Sequence, residues 1–546
     1  MNSIIAVIIS LILILIALVV DVAVSMWRKV VNKRDKSRYT GSREGSSETI
    51  WQDETYRRLL QLALETAPTP PITTLNDIPV ELKYRKASAP PRPDNHIGQR
   101  KLFLNELLVL CDFQRITNDT LDDKIIVYAG GAPCNHIYYL HNLFPALKIL
   151  IVDPNEVHIY KTAEYIKGAA GVVNERLNVT THYDDPNDVV YFRPGRYDMY
   201  YHFAGRRHTA ADYPKPIRVY DFDTKTIVET YKTTPEADIL GRKWNPKYTD
   251  EMFEVINSSQ DHIFVIEDFF TLELAQAMSK YGDKIIFFSD IRTNLSQEFA
   301  AGDNIPTDLD ILWNLSQQFN WLSIIKPRLS MWKFRCPFNE NPDIIDKHKD
   351  TPYVKTDLEM SKKYGIDFIA NNKQGFVSYP PGVVYIQPFA GVSSTESRLV
   401  IKSEDIDART KYLNSEYEDK FYAYNNIHRC FIPHNHEVSD ELAVYGVDKC
   451  NDCALERHIW ERYKAEFAPD FDIEAATRDL CAFTARRLIR GGHGYFHEFT
   501  VDWYKKMSKL RAELDSKEKG RKPRPLDEAT IAAVESVVVA TNNAAA

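Results

Sequence analysis

Three aspartates and two lysines stand where chemistry would need them. Asp153, Asp268 and Asp290 follow short apolar, β-branched runs over 150–152, 262–266 and 284–288, where such strands end. Ligands of an open α/β sheet bind outside the carboxyl ends of its strands. Acids repeated at that position therefore read as a ligand-facing row rather than as solvated loop charges. Gly130 and Gly131 follow another such run, 125–128, and let the backbone turn sharply and approach a ligand. Asp153 lies about 20 residues past the glycines, the separation at which a doubly wound fold grips a ribose hydroxyl. The motif between them is G-G-A-P-C, not G-x-G-x-x-G. That favours an adenosine-type cofactor other than a dinucleotide, and a plain βαβ unit is the alternative. Lys101 falls in the first turn of a helical run, where a cation is unfavourable beside the positive end of the helix dipole. Lys333 stands between Trp332 and Phe334, either as an edge residue reaching water or as a buried base. Glu396 opens a strand-like run.

The elements that must position these residues follow from periodicity. Residues 98–113 predict a helix with a wide apolar face, 136–147 a second helix, and 150–152 the strand before Asp153. Residues 272–281 and 309–319 read as helices, 321–326 and 331–334 as strand-like, and 383–387 with 397–402 as a hairpin pair. Between 157 and 260 the chain is rich in Tyr, Arg, Asp and Pro, with β-like pieces at 218–220 and 226–231. This is expected to be an inserted lobe and not a new cofactor domain. From about 404 the pattern turns helical and polar. Cys450 and Cys453 have zinc-knuckle spacing, but the second cysteine pair is missing, so Cys430 with His434 or His436 would have to complete a site. Unliganded thiols are the alternative, and no metal is expected.

Length and composition bound the rest. The 546 residues are too many for one core and suggest two or three domains. A net charge of −8 argues against wholesale coating of nucleic acid, though it allows a local basic groove. Seven scattered cysteines fit a reducing compartment better than a disulfide framework. Residues 4–20 are almost unbroken Ile, Leu, Val and Ala, and 1–27 predict a transmembrane anchor. Arg28, Lys29, Lys33, Arg34, Lys36 and Arg38 follow it and would keep the remainder cytosolic. Residues 28–80 read as a polar linker, 81–403 as the main domain, 404–514 as a mainly helical region and 515–546 as a disordered tail.

Four segments, GQRKLFLNELLVL, VYAGGAPCNHIYYL, IIFFSDIR and LSMWKFRCPF with YIQPFAGVSSTESRLVI, resemble the poxvirus-type cap-specific mRNA 2′-O-methyltransferase. In poxviruses that protein is also the poly(A) polymerase regulatory subunit. The resemblance covers roughly 98–402 without the insertion. It implies a Rossmann-like S-adenosylmethionine-dependent methyltransferase fold, here with a large insertion, an N-terminal transmembrane helix and a mostly helical C-terminal extension. It also implies a catalytic Lys-Asp-Lys-Glu set at Lys101, Asp290, Lys333 and Glu396, with Lys333 as base. S-adenosylmethionine would lie over Tyr128, Gly130, Gly131 and Cys134, with Asp153 on the ribose, Asp268 on the adenine amine and Phe269 against the ring. Cys134 stands where the family has glycine and could crowd that cofactor. A 7-methylguanine cap would stack on Phe338, with Glu340 on the base edge and Tyr84 opposing. Capped viral mRNA, a membrane contacted through 4–27 and a poly(A) polymerase catalytic subunit are the implied partners. The expected location is a membrane in the viral factory or virion. A ribosomal-RNA-type 2′-O-methyltransferase and a non-catalytic, membrane-tethered structural or RNA-binding protein retaining the fold are the alternatives.

Overall fold

The strands at the centre are apolar along their whole length because both of their faces are covered. β1 (Ile125–Ala129), β2 (Lys148–Val152), β8 (Ile263–Ile266) and β9 (Ile285–Ser289) are buried almost throughout. Alternation sends Ile125, Val127 and Ala129 into one hydrophobic core and Ile126 and Tyr128 into another on the opposite face. A computed structural model describes residues 71–78, 98–155, 157, 159–166, 178–183, 189–193, 217–230, 244–293, 306–338, 342–390, 394–425 and 450–483, with isolated positions 429, 434, 436, 438, 439, 442 and 447. The anchor expected over 1–27, most of the linker, Tyr84, Glu340, Cys430 and the tail beyond 483 lie outside these residues. No helix among the described residues is long and apolar enough to cross a membrane.

Among the described residues ten strands form one mixed sheet in the order β12-β13-β10-β9-β1-β2-β8-β5-β6-β7. β10 (Leu329–Phe334), β9, β1, β2, β8, β5 (Val189–Arg193) and β6 (Ile217–Asp221) run parallel. The edges turn antiparallel, through β7 (Thr226–Thr230) on one side and β13 (Ser397–Lys402) beside β10 on the other. β12 (Val383–Tyr385) pairs with β13 as the expected hairpin. The chain leaves β1 toward β2 and β8 and later returns to place β9 and β10 on the other side of β1. That reversal opens a crevice at the carboxyl ends of β1 and β9, where doubly wound sheets bind ligands. The architecture is a parallel-rich mixed sheet compatible with a Rossmann-like fold.

One face is covered by α3 (Thr249–Ser258), α4 (Leu272–Met278) and α5 (Asp308–Ile325), the other by α1 (Gly98–Thr117), α2 (Ile137–Leu143), α10 (Asn451–Phe467) and α11 (Ile473–Phe483). α1 is buried all round over 101–113, because α10 covers the side turned away from the sheet. The remaining helices are α6 (Pro342–His348), α7 (Pro352–Lys363), α8 (Phe368–Lys373) and α9 (Asn414–Ala423).

Two expectations change. Residues 321–326 are helix, not strand: α5 runs on to Ile325 and ends at Lys326 with φ 49. A short apolar run fits a buried helix as well as a strand, and here Trp321, Leu322 and Ile325 complete the buried face of α5. Part of the 157–260 segment also joins the main sheet, since β5, β6 and β7 extend it beyond β8. Of the described strands in that segment, β3 (Tyr160–Ile166) and β4 (Asn178–Tyr183) stand apart as a two-stranded sheet, and further along the chain β11 (Phe376–Tyr379) and β14 (Thr410–Leu413) pair as another.

Candidate active site

Topology brings Lys101, Asp290, Lys333 and Glu396 together. Asp290 directly follows β9, and Lys333 is the penultimate residue of neighbouring β10. Because β13 runs antiparallel to β10, its first residue Ser397 pairs with Phe334, which sets Glu396 beside the end of β10. Lys333 shares its face of the sheet with Met331, the face on which α1 packs, so Lys101 reaches the same point from the first turn of α1.

The four side chains touch. Lys333 Nζ lies 2.9 Å from Asp290 Oδ1 and 3.6 Å from Glu396 Oε2. Lys101 Nζ donates to Glu396 Oε1, and Arg292 donates to Glu396 Oε2. Arg398, opposite Lys333 in the β10–β13 register, bonds Asp290 Oδ1 at 2.6 Å. Gln387 donates to Glu396 at 3.1 Å and accepts from Arg398 Nε at 3.0 Å. Every member of this network, largely buried apart from the half-exposed Arg292, therefore has an oppositely charged or hydrogen-bonded neighbour.

Burial decides the charge of Lys333. It is the largest influence and disfavours the ammonium. Asp290 and Glu396 oppose it, Arg292 and Lys101 assist it, and the amine is pushed down to about 8. Burial would raise Asp290, but Arg398 first, then Lys333 and Lys101, hold it down to about 2. Burial would also raise Glu396, yet Lys101, Lys333 and the two arginines keep it well below the usual carboxylate range. The arrangement thus holds two ionised carboxylates beside an amine whose pKa is lowered to about 8.

A cleft of about 400 Å³ opens beside this cluster, lined among others by Gln99, Gly130, Asp153, Phe269, Asp290 and Lys333. Gly130 has φ +78, and a Cβ there would stand 2.8 Å from the backbone nitrogen of Ile291, so only glycine fits the turn. Asp153 accepts from Ala132 N at 2.9 Å and Asn155 N at 2.7 Å, and its burial raises its pKa. Phe269 is 65% exposed, an apolar ring left facing the cleft. A smaller pocket of about 40 Å³ is lined by Arg292, Lys333, Arg335 and Glu396.

The other expected site residues are placed as follows. Tyr128 is buried, with its hydroxyl donating to Glu106 at 2.7 Å. Gly131 lies between the lining residues Gly130 and Ala132, and Cys134, fully buried at φ 57, packs into the core on the α1 side. Asp268 accepts from the backbone N–H groups of Trp244 and Phe269 and does not line the cleft. Phe338 is half-buried, with the Arg335 guanidinium 4.2 Å from its ring centre and its own N–H on Asp308. No group of three or more His, Cys, Asp or Glu gathers to hold a metal among the described residues. Sequence reasoning missed Arg398, Arg292, Gln387 and Gln99. An arginine inside the apolar run SRLVI is the same signal that marked Lys333, and it could have been found.

Fold and site define a class: an α/β protein with a parallel-rich sheet, compatible with a Rossmann-like fold, and a lysine–carboxylate cluster beside a cleft at its topological switch point. The model of the poly A polymerase regulatory subunit family matches residues 67–163 and 246–446, and the chain belongs to that family. The break in the match falls on the 157–260 segment. The chain is similar to the cap-specific mRNA (nucleoside-2′-O-)-methyltransferases of Myxoma virus strains Lausanne and Uriarra. Each is 24% identical over 380 residues, covering 68% of this chain and 73% of the relative.

Proposed function

We propose that this protein transfers a methyl group from S-adenosylmethionine to the ribose 2′-hydroxyl of the first transcribed nucleotide of capped mRNA. The observation that carries this is Lys333: mostly buried, 2.9 Å from Asp290, with its pKa lowered to about 8, on the wall of the cleft. The relatives' activity agrees with it.

The cleft fits an adenosine-bearing cofactor in chemistry, with a buried carboxylate at Asp153, an exposed ring at Phe269 and a turn where Gly130 leaves no side chain in the way. When bound, the cofactor supplies an electrophilic methyl on a sulfonium. The protein does the rest. Lys333, as the neutral amine, accepts the 2′-hydroxyl proton. Asp290, kept ionised by Arg398, holds the Lys333 amine in place. Glu396, gripped by Lys101 and Arg292, fixes the other side of that amine. Holding hydroxyl and base in one geometry removes most of the entropic part of the barrier. Phe338 and Glu340 are proposed to hold the methylated guanine, with Tyr84 as the opposing ring. A membrane anchor over 4–27 would keep this chemistry on the cytosolic face, and the family makes a poly(A) polymerase catalytic subunit a second proposed partner.

The test is methyl transfer by the full chain to short capped and uncapped RNAs of one sequence. Transfer to the first nucleotide of the capped RNA alone is expected. Equal transfer to both RNAs would favour a ribosomal-RNA-type activity, and no transfer with no cofactor binding would leave a non-catalytic scaffold.

A further inference from the structure

The helix carrying Lys101 is held from behind by a part of the chain beyond the family match. The match ends at residue 446, and α10 begins at Asn451. Arg100, next to Lys101, is fully buried. Its guanidinium grips Glu456 of α10 at two points, Nε to Oε2 at 2.8 Å and Nη2 to Oε1 at 2.6 Å. A planar fork on a carboxylate fixes orientation as well as distance. Trp460 Nε1 donates to the same carboxylate at 3.4 Å.

The same C-terminal helices also grip α2, which follows the glycine turn of the cleft. The Phe103 ring of α1 lies 5.6 Å from Trp460 and 5.4 Å from Tyr139 of α2. Tyr139 donates to the carbonyl of Ala476 on α11 at 3.2 Å, and Tyr463 of α10 donates to that of Leu143 at 2.9 Å. The start of α1 and the helix that follows the glycine turn are thus fastened to one pair of helices.

We propose that Glu456 is a positioning residue: by holding Arg100 it fixes the first turns of α1 and so sets Lys101 on Glu396, which makes the C-terminal helices a built-in brace of the active site. The proposal rests on the methyltransferase reading above.

The test compares the full chain with the double variant Arg100→Met/Glu456→Met. Replacing both members of a buried pair by apolar residues commonly keeps stability, whereas removing one leaves a bare buried charge. The double variant therefore separates position from folding. It is expected to melt within a few degrees of the parent, with faster amide exchange over 98–105. Its kcat is expected to fall on the order of tenfold to a hundredfold, as a misplaced catalytic group does, at an unchanged cofactor KM. Lys333 is faced by Asp290 and Glu396, which favour its charged form, and by Arg292 and Lys101, which oppose it. Withdrawing Lys101 removes a repelling charge and leaves Glu396 less neutralised, so the acid limb of the pH–rate profile moves to higher pH. A pair that merely supports the fold would leave kcat, limb and exchange as in the parent, and that result overturns the proposal. A parent that methylates no RNA sinks the methyltransferase reading instead, and the brace then stands or falls on the exchange over 98–105.

Discussion

At α10 each buried cation has its own carboxylate, Arg100 with Glu456 and Arg429 with Asp452. At the cleft, Lys101, Lys333, Arg292 and Arg398 share Asp290 and Glu396. The first arrangement is neutral and closed. The second is shared and opens on a cavity, and Lys333 lies on its wall. Burial is what makes the Lys333 amine easier to hold uncharged, against the pull of Asp290 and Glu396 and with Arg292 and Lys101 assisting. One-to-one pairing makes a rigid joint, and sharing makes a group that exchanges a proton.

The largest break in that comparison is Lys333→Ala. Turnover should fall by on the order of 10³-fold or more, as expected when a general base is lost, with cofactor binding intact by calorimetry. Melting should hardly change, because Asp290 keeps Arg398 at 2.6 Å. The matching truncation at α10, Arg429→Met, leaves Asp452 without its cation and should cost about 3–5 kcal/mol in urea unfolding. If both variants lost stability equally, the shared cluster would be a structural joint like the other.

A smaller and sharper test is the pH dependence. The neutral amine is the active form, so the rate should rise with pH and reach half its plateau near 8. Glu396 favours the charged amine, so Glu396→Gln should move that limb below the parent's. kcat should drop only about tenfold, because Asp290 still orients Lys333. A limb that moved upward would mean that burial and charge do not set the amine as argued.

What was legible in the sequence divides along the same line. Lys101 and Lys333 stood out because each is misplaced locally, one at a helix start and one in an apolar strand. The acids at 153 and 290 were legible because buried strands end visibly. Arg398 and Gln387 matter only through the β10–β13 register, a pairing of residues far apart in the chain. The attachment of β5–β7 to the sheet is non-local in the same way. The direction of the Lys333 shift could not be read either, since burial and the opposing charges are set by the fold. One attachment that composition hid is the segment 71–78, part of a stretch read as linker. Its Ile72 N–H bonds Asn451, and its Thr73 carbonyl accepts from Ile386 beside β12.

Cys134 gives the smallest effect and the closest check on where the cofactor turn ends and the core begins. At φ 57 it occupies the left-handed region, which costs a residue with a Cβ about 1–2 kcal/mol. Cys134→Gly removes that strain. It also removes a fully buried side chain whose sulfur lies 2.9 Å from where a Cβ on Gly131 would stand. Losing the burial costs about 1 kcal/mol at roughly 25 cal/mol per Å². The two contributions oppose each other, so unfolding free energy should change by less than about 1 kcal/mol in either direction. The sulfur packs into the core and the residue is absent from the cleft wall. Affinity for S-adenosylhomocysteine should accordingly stay within about twofold of the parent's. A tenfold gain in affinity on Cys134→Gly would instead mean that the thiol crowds the cofactor from beneath, and the boundary between core and cleft would have to be redrawn on the cofactor's side of this turn.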